Sequence, residues 1–436
     1  MIYTLIAQYL RLFTFCLTRM ETLNLIISDE TLRDGEQQVG LFFDNKPELA
    51  RLIAQTGVQQ IALMPDIHPA EARLVKSLVD SGLKQQIVAS TLMKRSSIDC
   101  SKDCGARQII LFQAVSDRLL FLRDAATNAN LALKGKTIDD DIPPEIIQRC
   151  RQAMLANALD HIRYAVAQGL QVCFAAEDAS RADFHFLAEC IRTLGPYIDQ
   201  FLLCDTVGVL TPEKTYAWIC DLLKFAPDVP LSVHFHNDQG LALENTLQAI
   251  RAGAKGISGT MGGIGERAGN APLEQVLLGL RSRFGWEVAG INYQAITSVV
   301  NYLHQHGHRP HPPYSVEAQR HESGIHVSAL LRDRKSYTVF PHGQPDIWFG
   351  KGSGASNFQY LFEQYLQHPL EQRDYRRLRD EVKAIALAEK RSYSAEEAIT
   401  LIAEHRLVPL AAIAPGKTSK EKNHPMPYPI SCIERM

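Results

Sequence analysis

Several absences narrow what this 436-residue chain can be. Lysine and arginine number 46 against 48 acidic residues, so the formal net charge is −2. No excess of one sign marks a nucleic-acid footprint or a membrane-surface patch. The nine cysteines form no C-x-x-C pair, and Cys100 with Cys104 is the one close couple. An odd count without a framework fits reduced thiols in a cytoplasmic protein. Long apolar runs are missing as well. Ile2 to Leu17 is largely apolar, but Arg11 interrupts it, it is too short to span a bilayer, and no small-residue cleavage site follows. Residues 1–20 are set apart as a leader, or as sequence upstream of a start at Met20, with a docked N-terminal helix as the alternative.

What is present is ordinary in bulk and patterned in detail. With 46% hydrophobic and 22% charged residues, the chain can bury one large core plus an additional unit. From residue 24, short apolar runs alternate with polar loops and helical stretches. The runs predict strands at Asn24–Ser28, Val58–Leu63, Gln86–Thr91, Gln108–Gln113, Gln171–Ala176, Gln200–Cys204, Pro230–Phe235 and Gly256–Gly259. Three-to-four spacing predicts helices at Lys46–Thr56, Ala70–Ser81, Pro144–Gln168, Phe184–Leu194, Pro212–Lys224 and Leu241–Ala252. Glycines such as Gly57, Gly169 and Gly253 close several of them. Eight such units over about 260 residues predict an α/β chain whose core is a (β/α)8 TIM barrel. An open doubly wound sheet is the competitor, but no G-x-G-x-x-G follows the first strand. The barrel is assigned to residues 21–288, mostly helical linker and subdomains to 289–414, and a disordered tail to 415–436. Within the linker, His304 to Pro313 reads as a solvated, proline-rich connector. Tyr360–Gln372, Tyr375–Lys390 and Ser394–Glu404 read as amphipathic helices.

The chemistry collects where such a barrel keeps it, at the carboxyl ends of the strands. Asp29 to Asp34 follow strand 1, Glu177 to Arg181 follow strand 5, Asp205-Thr206 follow strand 6, and a glycine-rich turn with Glu266 and Asn270 follows strand 8. On strand 7, His234 and His236 point to the same face, their imidazoles about 6 to 7 Å apart, close enough to share a divalent metal. An isolated H-x-H on a half-polar strand is more often incidental; five polar loops converging on one face reverse that judgement. The run His321-Glu322-Ser323-Gly324-Ile325-His326 is not the H-E-x-x-H zinc motif, because its histidines are five apart and a glycine interrupts it.

Three long motifs carry a resemblance. Asp29 to Gln37 resembles the first signature of the 2-isopropylmalate synthase and homocitrate synthase family, within the DRE-TIM metallolyases. Leu231–Gly240 with Gly259–Asn270 resembles the second, and His321–His326 resembles the family's linker-domain motif. The resemblance implies condensation of acetyl-CoA with a 2-oxo acid, followed by thioester hydrolysis, with a divalent metal (Mg, Mn or Zn). On it, Asp34, His234 and His236 bind the metal with Asn270 beside them, and Arg33 stabilises charge on the oxo oxygen. Thr206 holds the oxo-acid carboxylate, and Gln37 and Glu266 orient the metal ligands and Arg33. His326 and Glu177, with Tyr337 assisting, deprotonate the acetyl methyl group. A homodimer is implied in which the linker reaches the partner's barrel.

Three departures from the family pattern stand out. Ala62 occupies the place of a strand-2 glutamate, Leu92 that of a strand-3 arginine or histidine, and Leu119 that of the histidine in Ser-Asp-x-His. Leu92 and Leu119 would then line the substrate pocket. Aliphatic groups there suggest an apolar or unusual 2-oxo acid, since a dicarboxylate would want a cation. The alternatives are an aldolase or acyl-CoA lyase on the same barrel, or a degenerate, non-catalytic paralogue. After the linker helices too few residues remain for a leucine-binding regulatory domain, so feedback inhibition of that kind is not expected.

Overall fold

A computed structural model describes residues 20–225, 228–338, 345–409 and 412–413. Most of the expected leader and the whole tail 415–436 lie outside the described residues. Eight parallel strands close into a barrel: β1 (Ile26–Asp29), β2 (Gln60–Leu63), β3 (Ile87–Leu92), β4 (Gln108–Ala114), β5 (Gln171–Glu177), β6 (Gln200–Asp205), β7 (Leu231–Phe235) and β8 (Gly256–Gly259). Strand β8 pairs back on β1, with Ile26 opposite Gly256 and Asp29 opposite Gly259. Every residue of β2, β6 and β7 is buried. A parallel strand covered on both faces needs apolar side chains on both, which is why these segments stand out as continuous apolar runs. The eight strands therefore fall within two residues of the sequence expectation.

Helices Lys46–Gln55, Pro69–Leu78, Arg95–Asp103, Pro144–Ala167, Phe184–Leu194, Pro212–Phe225, Ala242–Ala252 and Leu273–Gly279 form the outer ring. Local chemistry fixes where they begin. Asn45 accepts a hydrogen bond from the Glu48 amide, and Asp183 does the same for Phe186, satisfying amides that the helix itself leaves free. After β4 the chain makes a short helix, Asp117–Arg123, capped by Ser116, before the long Pro144–Ala167. Helix Tyr293–Gln305 adds Ile296, Val299, Tyr302 and Leu303 to the barrel's own core.

Beyond it the chain builds a second, helical body. Helices Gly324–Leu330, Ala355–Gln359, Gln372–Glu389 and Ala395–Glu404 surround Phe349, Phe358, Phe362, Tyr375 and Val382, all fully buried. Burying each such side chain contributes about 1.5–3 kcal/mol, enough to give this body a core of its own. The helix expected over Tyr360–Gln372 is displaced. The helical stretch runs from Ala355 to Tyr365 and then stops. Gln367 takes a left-handed φ of 60° and Pro369 follows, so the helix cannot continue until Gln372. The body lies over the mouth of its own barrel: Ala329, Leu330 and Tyr337 pack on Ala114, Leu119 and Leu122. No helix among the described residues is long and apolar enough to cross a membrane.

Candidate active site

Strand β1 ends at Asp29, and the turn that follows brings Arg33 and Asp34 over the barrel's carboxyl face. Asp34 Oδ2 stands 3.3 Å from His234 Nε2 and 3.6 Å from His236 Nε2. The two Nε2 atoms are themselves 3.2 Å apart. All three side chains are buried. His234 lies within β7 and His236 one residue past its end, where it forms an antiparallel bridge with Asn270. The glycine-rich turn makes that approach possible: at Gly265, whose φ is +153°, a Cβ would fall 2.1 Å from Asn270 Nδ2.

Two imidazole nitrogens and a carboxylate facing one another form a repulsive arrangement unless a proton or a cation lies between them. Both Asp34 oxygens, the Asn270 Oδ1 and the His236 Nδ1 are buried without a hydrogen-bond partner, and such orphaned atoms are costly. Burial and the nearby charge of Arg267 hold His236 well below the usual imidazole range, leaving it neutral with a lone pair to offer. Burial works to raise the Asp34 carboxyl, but the facing His236 and Arg33 outweigh it and hold it well below the usual carboxylate range. One carboxylate and two imidazoles whose donor atoms lie within 4.8 Å of one another are a donor set suited to a divalent cation.

A hydrogen-bonded line runs behind this group. Arg33 Nε donates to Glu30 Oε2 at 2.6 Å, Ser258 Oγ donates to Glu30 Oε1 at 3.2 Å, and Ser258 Oγ lies 3.2 Å from His234 Nδ1. Glu30 and Ser258, neither given a role in the sequence reading, thus fix Arg33 and His234 together across the β1–β8 seam. Glu30 lies inside the Asp29–Gln37 motif and could have been marked; Ser258 sits in a short strand and carries no signal of its own. Gln37 and Thr206 line the same cavity, of about 970 Å³. Thr206 Oγ1 also accepts a hydrogen bond from the Asp178 amide.

The second cluster sits under the helical body. The His326 ring stacks on Tyr337 with centroids 3.8 Å apart, and its Nδ1 stands 2.9 Å from Glu266 Oε2. Glu177 is met differently. Arg123 grips it with two nitrogens at 2.6 and 2.9 Å, and the Tyr337 hydroxyl donates to it. Burial alone would raise the Glu177 carboxyl, but Arg123 and Tyr337 bring it down to about 2. The structure therefore brings His326, Tyr337 and Glu177 into one cluster while giving His326 a different carboxylate, Glu266. Glu266 faces His326 and Arg267, rather than the ligand group it was expected to orient. Arg123 was not anticipated either.

Leu92 lines the cavity, as expected. Leu119 does not: it is fully buried against Leu330 and Tyr337, and Ile110, Phe112 and Leu122 form the wall on that side. Ala62 lies deeper, in an apolar cluster with Val88, Ile110 and Cys173.

A family model described as HMGL-like matches residues 24–132 and 145–303. A homocitrate synthase of Methanopyrus kandleri is 35% identical over 72% of this chain and 75% of its own length. A 2-isopropylmalate synthase of Caldanaerobacter subterraneus is 32% identical over 78% of this chain and 85% of its own. A homocitrate synthase of Methanosarcina acetivorans is 31% identical over 92% and 94%. Among solved structures, an HMG-CoA lyase of Brucella melitensis aligns with a TM-score of 0.51 at 19% identity, covering 65% of this chain and 99% of that one; it shares the fold.

Proposed function

The chain belongs to the HMGL-like family, and from that premise we propose that it condenses acetyl-CoA with a 2-oxo acid and then hydrolyses the thioester. One observation carries the proposal. The Asp34–His234–His236 group, with its orphaned donor atoms, opens into the same cavity as the His326 imidazole. A divalent cation held by Asp34, His234 and His236, with Asn270 alongside, would supply a Lewis acid for the oxo group. The remaining steps belong to the protein. The Thr206 hydroxyl donates to the oxo-acid carboxylate. Arg33, fixed by Glu30, presents its guanidinium to the charge that grows on the oxo oxygen.

His326 is the base. Its Nδ1 faces Glu266, so Nε2 takes a proton from the acetyl methyl group, and Glu266 stabilises the resulting imidazolium. The methyl carbon, now nucleophilic, attacks the oxo carbon, and the oxo oxygen becomes a hydroxyl by protonation. Water then attacks the thioester carbonyl and CoA leaves as the free thiol. Glu177, clamped by Arg123, acts by holding the Tyr337 hydroxyl in place rather than by moving a proton. Within one chain all of these groups meet; exchange of the helical body between two copies, as the resemblance implies, would assemble the same set in a homodimer. Release of free thiol from acetyl-CoA, dependent on both a 2-oxo acid and a divalent metal, tests the proposal. No release with any 2-oxo acid in the metal-loaded protein rejects it.

A further inference from the structure

Strand register builds a hydrogen-bonded relay behind the paired histidines, and it reaches only one of them. His234 on β7 pairs with Ser258 on β8, and Ser258 pairs with Ser28 on β1. Side chains two residues apart share a face of a strand. Glu30, whose amide extends the pairing by donating to the Gly259 carbonyl, therefore lies on the face of Ser28. Its Oε2 accepts from Arg33 Nε at 2.6 Å. Its Oε1 accepts from Ser258 Oγ at 3.2 Å and from Ser28 Oγ at 3.4 Å. Ser258 Oγ in turn stands 3.2 Å from His234 Nδ1. All four side chains, Ser28, Glu30, His234 and Ser258, are buried.

The place of each proton follows from what these groups can do. A carboxylate paired with a guanidinium accepts and cannot donate. The one hydroxyl hydrogen of Ser258 therefore goes to Glu30, and the serine oxygen is left to accept. What it accepts is the Nδ1–H of His234. A neutral imidazole with its hydrogen on Nδ1 carries its lone pair on Nε2, and His234 Nε2 is the atom turned toward Asp34 Oδ2, 3.3 Å away. His236 lacks such support. Its Nδ1 is buried without a hydrogen-bond partner among the described residues, so no described group decides where its hydrogen sits. The two histidines are unequal: one is prepared to bind and the other is not.

We propose that Ser258, its hydroxyl aimed by Glu30, is a positioning residue that holds His234 with its hydrogen on Nδ1 and thereby sets the affinity of the site for a divalent cation. This rests on Asp34, His234 and His236 being metal ligands, as in the condensation reading above. Without the serine oxygen the His234 hydrogen would divide between the two nitrogens and the ring would be free to turn. Every binding event would then have to restore the one arrangement that presents Nε2. The charges around the site would be unchanged, since Glu30 and Arg33 keep each other. A hydroxyl that served the fold alone would behave otherwise: its removal would shift the Tm of the chelator-treated protein and leave the metal affinity of the folded protein as it was.

The test titrates the full chain with Mn²⁺ and follows the EPR signal of the free ion. Ser258→Ala is expected to weaken binding about 10–100-fold, the usual cost of removing the partner of a ligating histidine. Glu30→Gln should weaken it as well, because an amide can donate to Ser258 and turn the hydroxyl hydrogen toward His234. Affinity in Ser258→Ala within about twofold of wild type overturns the inference. A second measurement does not depend on that variant folding. Long-range proton–nitrogen correlation spectra of the chelator-treated wild type with isotopically labelled histidine, assigned with His234→Gln, should show the His234 hydrogen on Nδ1; a hydrogen on Nε2 overturns the inference. Thiol release from acetyl-CoA is scored apart. Ser258-dependent Mn²⁺ binding without thiol release from any 2-oxo acid upholds this inference while the condensation reading falls. Thiol release with undiminished Mn²⁺ affinity in Ser258→Ala does the reverse, and a wild type that binds no Mn²⁺ overturns the inference together with the ligand assignment.

Discussion

His326 Nδ1 stands 2.9 Å from Glu266 Oε2, an ion-pair distance between a helix of the C-terminal body and the turn after β8. The approach is a charge contact and not a hydrogen bond, the buried Nδ1 having no hydrogen-bond partner, and on the proposed reaction Glu266 would give an imidazolium its counter-charge. His326→Ala is expected to lower kcat by about 10²–10⁴-fold while metal content stays at the wild-type level. Glu266→Gln should produce a smaller loss of kcat with little change in the KM for the oxo acid. Steady-state kinetics together with metal analysis check both; a His326→Ala enzyme with normal kcat excludes the imidazole as the base.

Glu177 gives a pH dependence whose sign is fixed by its clamp. Burial would raise its carboxyl, but Arg123 and Tyr337 lower it from 4.5 to about 2. A carboxyl lowered on folding stabilises the protein above its unfolded value, and that contribution disappears as the pH falls from about 4.5 toward 2. Arg123→Gln should cost about 1–3 kcal/mol near neutrality, moderated because the guanidinium is partly open to the cavity. The gap between wild type and variant should begin to narrow as the pH falls below about 4.5 and close only toward about 2. Urea unfolding across that range measures it, and a gap that stays constant would show that the clamp does not set the carboxyl.

Asp29, at the end of β1, works in the opposite direction. Burial pushes its carboxyl up to about 7, against a hydrogen bond from the Thr31 amide that lowers it. Its Oδ2 has no partner. A carboxyl raised on folding costs nothing below its unfolded value of 3.8, and the penalty grows as the pH climbs to about 7. Asp29→Asn cannot ionise. Its stability relative to wild type should therefore rise between about pH 5 and pH 8, by on the order of 2–4 kcal/mol. Equal differences at the two pH values would refute the assignment.

These residues also show what the sequence could reveal. The barrel was legible because parallel strands covered on both faces must be apolar throughout, and the polar residues that end them mark the carboxyl side. His234 and His236 followed from the strand period, and Asp34 from the motif after β1. The Glu266–His326 contact was not legible, because it depends on how the helical body docks on the barrel. Leu119 was misplaced for a related reason: helix Asp117–Arg123 turns it toward Leu330 and Tyr337, while Leu122 takes the cavity side. The helix expected to run to Gln372 failed on one backbone angle, the left-handed φ of Gln367, reinforced by Pro369.

The orphaned oxygens of Asp34 and Asn270, with the Nε2 atoms of His234 and His236 turned toward Asp34, lead to a prediction that needs no substrate. A ligand that binds only the folded state raises stability by RT ln(1 + [L]/Kd), about 2.7 kcal/mol when the ligand is present at a hundred times its Kd. Chelator-treated protein should therefore melt several degrees lower than protein supplied with Mn²⁺, and adding the ion back should restore the higher Tm. His236→Ala removes a lone pair and Asp34→Asn removes the charge, so neither variant should respond to the ion in this way. Both variants also relieve the confrontation of Asp34 with the two imidazoles, so in the absence of metal they should melt at or above the chelator-treated wild type. Scanning calorimetry on the three proteins, with and without Mn²⁺, separates these effects. A wild-type Tm indifferent to the ion, or an undiminished response in His236→Ala, would rule out the Asp34–His234–His236 group as the place where the metal binds.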